Sequence, residues 1–208
     1  NMPLIRNTVI NLLLIASLNA QASGTSVDLQ QLRDLLQPIT SLSAQFEQQV
    51  TDANGFPVKN SSGLFQVAQP NNMRWIVSYP MPQQMISDGT TLWLYDPDLD
   101  QVIVQPFDAK LQSTPAVLFS GELDELGRAY EINQSTPGVF DLAPVRADSL
   151  FQALQISFTD GVPQSIVLTD GLGQTTYINF KEVDVNPVLA SSLFKFDIPP
   201  NVDVIRND

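Results

Sequence analysis

Residues 87–97 read Ser87-Asp88-Gly89-Thr90-Thr91-Leu92-Trp93-Leu94-Tyr95-Asp96-Pro97. Asp-Gly ahead of an alternating run is a strong hairpin signal, because Gly supplies the positive φ that a tight turn needs. The strand that follows has period two. Leu92 and Leu94 share one face, and Trp93 and Tyr95 share the other. A sheet with one wet face needs only one apolar face. Two apolar faces mean either that helices cover one side or that the sheet curls around an apolar space.

The same rhythm extends outward. Met73, Trp75, Val77 and Tyr79 fall on one face of the preceding strand, with Arg74, Ile76 and Ser78 on the other. Leu64 opens the strand before that, and Gln69-Pro70-Asn71-Asn72 turns the chain between them. Leu42, Ala44 and Phe46 alternate with Ser and Gln, and Asp52-Ala53-Asn54-Gly55 is a turn. Downstream, residues 101–105, 129–134, 138–144, 150–158, 163–169 and 174–184 carry strand patterning. That makes about eleven antiparallel strands.

Helices are few. Thr25 or Ser26 caps a helix whose Leu29, Leu32, Leu35 and Leu36 form one stripe; Asp28 sits in its first turn and Pro38 stops it. Residues 107–128 break the strand rhythm. Thr114-Pro115 reads as N-cap and N1 of a short helix over 116–119, closed by Gly121. A helical turn is expected after Asn186-Pro187, before Pro199-Pro200. One sheet of eleven strands would curl or close. A β-sandwich without a cavity satisfies the same pattern, and periodicity does not choose between them.

The 208 residues contain no Cys and no His. Disulfides, thiolate metal sites, Cys nucleophiles and His-based triads are therefore excluded. A net charge of −12 argues against nucleic acid, whose phosphates need Lys and Arg clusters. Residues 2–22 read as an export signal: Arg6, an apolar run over 8–18, and Ala20-Gln21-Ala22 as an A-x-A cleavage site. Asn1 ahead of Met2 reads as a cloning scar. Cleavage after about Ala22 leaves one domain, 23–208, with no lipid-bearing Cys. Nothing in the remainder is long and apolar enough to span a bilayer.

Catalytic patterns are weak. Asp96, Asp98 and Asp100 have calcium-loop spacing, but Gln101 and Phe107 stand where the loop needs Gly and Glu. Gly171-Leu172-Gly173 joins two strands and opens no helix to receive a phosphate. Glu122, Asp124 and Glu125 read as a solvated polar loop, with nothing apolar nearby to raise a carboxyl pKa for glycoside cleavage. No enzyme, no metal and no cofactor is expected. The Met and aromatic content of the strands suits either an ordinary core or a concave apolar site.

Taken in order, five segments resemble one family: 46–52 (FEQQVTD), 70–75 (PNNMRW), 87–97 (SDGTTLWLYDP), Thr114-Pro115, and Phe194-Lys195-Phe196 with Pro199-Pro200. Behind an export signal they look like LolA, the periplasmic carriers of outer-membrane lipoproteins. The resemblance implies an incomplete, strongly curved antiparallel β-barrel with a helical lid. It implies a chaperone, expected to be monomeric. Such a carrier takes triacylated lipoproteins from an inner-membrane LolCDE-type ABC transporter, shields their acyl chains, and delivers them to the outer-membrane receptor LolB. LolB is itself a lipoprotein, which the missing Cys disfavours here. Met73 and Trp75 match cavity positions of the family. Phe46, Leu64, Val77, Tyr79, Trp93 and Tyr95 are expected to line the same cavity, and Val117, Leu118 and Phe119 to form the lid helix. Family members often carry an Arg before the Pro-Asn that latches the lid; Gln69 stands there, which implies a looser closure. A lipid- or lipoprotein-sensing module on the same half-barrel is the alternative reading.

Overall fold

A computed structural model describes residues 26–107, 118–149 and 151–207. The expected lid-helix start, Thr114 to Val117, lies outside them.

Helix α1 (Val27–Leu36) begins where Ser26 Oγ accepts the Leu29 N–H at 3.2 Å, and it ends ahead of Pro38. Its Leu32 and Leu36 are buried. Six strands follow: β1 (Ser41–Thr51), β2 (Pro57–Ala68), β3 (Asn72–Tyr79), β4 (Gln83–Asp88), β5 (Thr91–Asp96) and β6 (Gln101–Pro106). Helix α2 (Leu123–Ala129) leads into β7 (Tyr130–Thr136), β8 (Val139–Pro144), β9 (Phe151–Thr159), β10 (Val162–Asp170) and β11 (Thr175–Val185). A 3₁₀ turn (Ser191–Phe194) and β12 (Asp203–Arg206) end the chain.

All twelve strands form one sheet in the order β12-β6-β5-β4-β3-β2-β1-β11-β10-β9-β8-β7. Its two outer strands do not meet, so the barrel is incomplete. At its centre β1 pairs β11, setting Phe46 against Phe180. On the other side Phe46 faces Gly63, and Gly63 faces Val77. Gly63 is required there: a Cβ would lie 1.7 Å from the Ile76 carbonyl oxygen and 3.1 Å from the Phe46 ring. The Phe46 ring therefore lies across the glycine and stacks on Trp75, with centroids 4.0 Å apart. Sheet register puts Leu42, Ala44, Phe65, Val67, Met73, Leu92, Phe140, Leu154, Ile156 and Ile178 on this inner face, where they form one continuous core. A twelve-stranded sheet buries such a face by curling over it.

Three features differ from the sequence reading. The acidic stretch around Glu122 is not a polar loop; Asp124 and Glu125 fill the first turn of α2, where the helix dipole favours them. Leu126 is the buried anchor of that short helix. The twelfth strand is parallel to β6, pairing Val204 with Val102, and its four exposed residues carry no apolar alternation to read.

The third difference concerns the double-faced strand. Ile86, Trp93 and Val104 are register neighbours on the outer face, opposite Leu92 and Leu94. The segment after β11 covers this face. Its 3₁₀ turn packs on β3 and β4, Phe194 is 2% exposed, and Phe196 contacts the Tyr95 ring at 5.2 Å. Both faces are apolar because the interior takes one and the C-terminal segment takes the other. Phe194→Ala is expected to lower unfolding stability by about 3–5 kcal/mol in a urea titration. A loss below about 1 kcal/mol would show that the segment only rests on the sheet.

Candidate functional site

The inner face is the candidate site. Phe46, Met73, Trp75 and Val77 all reach it, as the strand alternation predicted. Leu64, Trp93 and Tyr79 do not. Leu64 pairs with Gln45 and Ile76 and faces outward. Trp93 lies on the outer face with Ile86. A register shift between Ser62 and Gly63 moves Tyr79 out of phase, and it is 67% exposed. Tyr95 borders the cavity while its ring packs on Phe196. Simple alternation fails here for two reasons: a bulge shifts the phase, and aromatic content alone does not say which apolar face is inside.

Sequence reasoning also missed inner-face residues. Phe65 is fully buried and touches the rings of Trp75 (5.3 Å), Phe180 (5.7 Å) and Phe119 (6.0 Å). Met85 and Leu94 pair across β4 and β5 on the same face. The signal that could have found Phe65 was its i+2 spacing from Val67, opposite Ala44 and Leu42. Toward the end formed by the β1–β2, β3–β4 and β5–β6 turns, the packing opens. A cavity of ≈ 400 Å³ lies there, lined on its apolar side by Trp75, Val77, Met85, Leu94 and Ile103.

The opposite end is closed by helices and loops. Leu118 and Phe119 are buried against the core, and Val117 lies outside the described residues. Arg33 of α1 donates from Nη2 to the Leu123 carbonyl and the Asp124 carboxylate, each at 3.3 Å, joining α1 to α2. The helices are close-packed at Gly127, where a Cβ would lie 2.8 Å from Leu29. Asp28 accepts the Gln134 N–H of edge strand β7 at 3.0 Å. Gln69 Nε2 donates to the Ile39 carbonyl at 3.0 Å, and its amide lies against Gly121. The cap thus rests on a handful of polar contacts over a broad apolar one.

The corner between α1 and β1 is pinned from both sides. Asn186, at φ 61°, accepts the Thr40 N–H at 2.8 Å and the Ser41 N–H at 3.3 Å, while its Nδ2 donates to the Pro38 carbonyl at 2.8 Å. Gln69 N–H donates to the Thr40 carbonyl on the other side. Residues 38–41 are therefore a fixed pivot for α1.

Among the described residues, the acidic side chains of the hairpin turns have structural partners. Asp96 Oδ1 accepts the Asp98 and Leu99 N–H groups, so it builds the turn. Asp170 does the same for Leu172 and Gln174. Among the described residues no three acidic side chains gather to hold a metal. Burial pushes the Tyr130 phenol above its ordinary value of 10.0, as expected for a hydroxyl against an apolar core.

Residues 37–197 match the family model described as "Outer membrane lipoprotein carrier protein LolA". The outer-membrane lipoprotein carrier protein of Azotobacter vinelandii is 39% identical over 208 residues, covering 99% of this chain and 100% of its own. That of Pseudomonas aeruginosa UCBPP-PA14 is 37% identical over 205 residues, covering 95% and 99%. In fold, the chain resembles an uncharacterised conserved protein of Thermus thermophilus, at a TM-score of 0.53 and 13% identity over 86% of this chain and 98% of that one.

Replacing Asn186 with Gly keeps the positive φ accessible and removes only the side-chain hydrogen bonds. Hydrogen exchange at the Thr40 and Ser41 amides is expected to speed up, with about 1–2 kcal/mol of stability lost. Unchanged exchange at both amides would contradict the pivot.

Proposed function

The chain belongs to the LolA family of outer-membrane lipoprotein carrier proteins, and we propose that it carries triacylated lipoproteins across the periplasm by burying their acyl chains against the inner face of its sheet. Carriers of this family are chaperones of the periplasm rather than enzymes. In this reading residues 1–22 direct export and 23–208 form the single carrier domain. A LolCDE-type ABC transporter loads the monomer, and LolB receives its cargo.

The observation that carries this reading is the apolar inner face beneath a cap held by few polar bonds. Each buried CH₂ contributes about 0.8 kcal/mol, so three chains of ~16 carbons represent tens of kcal/mol of apolar exposure. A carrier must cover enough of that to prevent aggregation and still release it without ATP. Dispersion contacts to Phe46, Phe65, Trp75 and Met85 suit this, because they do not select one chain geometry. In the closed form Phe119 and Phe65 occupy the space beneath the cap with their own rings. Loading then exchanges protein–protein apolar contact for protein–acyl contact, which keeps the two states close in free energy. The cap contacts at Arg33, Asp28 and Gln69 set how readily the exchange begins.

The test is transfer. Mature protein is mixed with membranes containing the transporter and an acylated lipoprotein, and a soluble complex is sought after ATP addition. Folded protein that extracts no lipoprotein would defeat the reading. Gln69 donates a neutral hydrogen bond to the Ile39 carbonyl; Gln69→Arg makes that bond charge-assisted, roughly twice as strong. Release to LolB-containing membranes is expected to slow several-fold, and unchanged release kinetics would remove residue 69 from the closure.

A further inference from the structure

The open end of the cavity carries several polar side chains. Ser61 is the informative residue. It is 6% exposed, its hydroxyl has no hydrogen-bond partner, and it lines the ≈ 400 Å³ cavity. A buried hydroxyl without a partner is costly, so one kept in a cavity wall is explained by what it meets when the cavity is filled. Gln48 lies directly across the β1–β2 ladder from Ser61, and Lys59 is two residues along the same face. Both also line the cavity, as does Gln101 of β6. Two residues the other way along β2 is Gly63, under the Phe46–Trp75 stack. At ~3.4 Å per residue Ser61 lies about 7 Å along β2 from Gly63, on the side of the β1–β2 turn.

We propose that Ser61, Gln48 and Lys59 form a subsite for the glyceryl ester carbonyls at the head of a diacyl lipid. The inference rests on the carrier reading and gives that site a polar end. An ester carbonyl is a neutral acceptor without a donor of its own, and it is the first polar group after the acyl methylenes. With chains against Trp75, Met85 and Leu94, it arrives at the height of Ser61. Asp96 also lines this cavity and accepts a hydrogen bond from Gln83 Nε2 at 3.1 Å. Its carboxylate, in a cavity whose lining holds one lysine, favours a neutral carbonyl over a phosphate.

The probe is a synthetic triacyl-S-glycerylcysteine peptide, compared with the analogue whose two O-esters are ethers. Intact mature protein is expected to bind the ester form about 2–10-fold tighter, the value of one or two neutral hydrogen bonds. Ser61→Ala is expected to reduce that ratio to near one, leave affinity for the ether form unchanged, and unfold at the same or higher urea concentration. Lys59→Gln should reduce the ratio in part. Phosphatidylglycerol showing the same Ser61 dependence supports the subsite and makes phospholipid a second source of the ester. Equal binding of ester and ether forms by the wild type, or a preference that survives Ser61→Ala, overturns the subsite alone. Failure of folded wild type to bind either lipopeptide overturns the carrier reading with it.

Discussion

The rest of the molecule follows from one constraint: a single sheet carries an apolar face too large to be covered by flat packing. Curling brings the two halves of that face toward each other around β1 and β11. The crowding this causes at the centre is relieved at Gly63, where no side chain could fit beside the Ile76 carbonyl. The space freed there is taken by the Phe46 ring, which spans β2 to reach Trp75. What curling leaves open, α1, α2 and the Leu118–Phe119 segment cover.

The fold was largely legible because its signals are local. Asp88-Gly89, Asp52 to Gly55 and Asp170-Gly171 each mark a turn by chemistry that needs no partner, and α1 is marked by cap, stripe and Pro38. The five family segments then selected the curved half-barrel over a sandwich. The candidate site was only half legible. Phe46, Met73, Trp75 and Val77 follow strict alternation and reach the interior. Trp93 does not, and Tyr95 only borders the cavity, because the covering of their face by Phe194 and Phe196 is a contact across about a hundred residues of sequence. Tyr79 is lost to a bulge that leaves no mark in the sequence. The α2 helix is short and acidic, so its single buried anchor, Leu126, made no stripe to detect.

The cap differs in kind from the core it covers. Core contacts are wholly apolar; the cap adds a few polar bonds at its margins to the apolar contact made by Leu32, Leu36, Leu118, Phe119 and Leu126. Arg33 to Asp124 is an exposed pair that water can replace at small cost, and Asp28 to Gln134 is a single bond to the edge strand. The pivot at residues 38–41 is held more firmly, by several bonds to Asn186. The polar bonds thus concentrate at the corner where α1 meets β1, while the rest of the helix is held by its apolar face.

The pairing of β1 with β11 has a kinetic meaning. The two central strands bring Leu42 beside Val185, near opposite ends of the chain. Neither half of the sheet can complete its inner face until both strands exist, and β12 adds a still later pairing. Contacts this distant in sequence fold slowly. The topology that encloses the cavity thereby also delays it: the inner face is complete only when strands from both ends of the chain have joined one sheet.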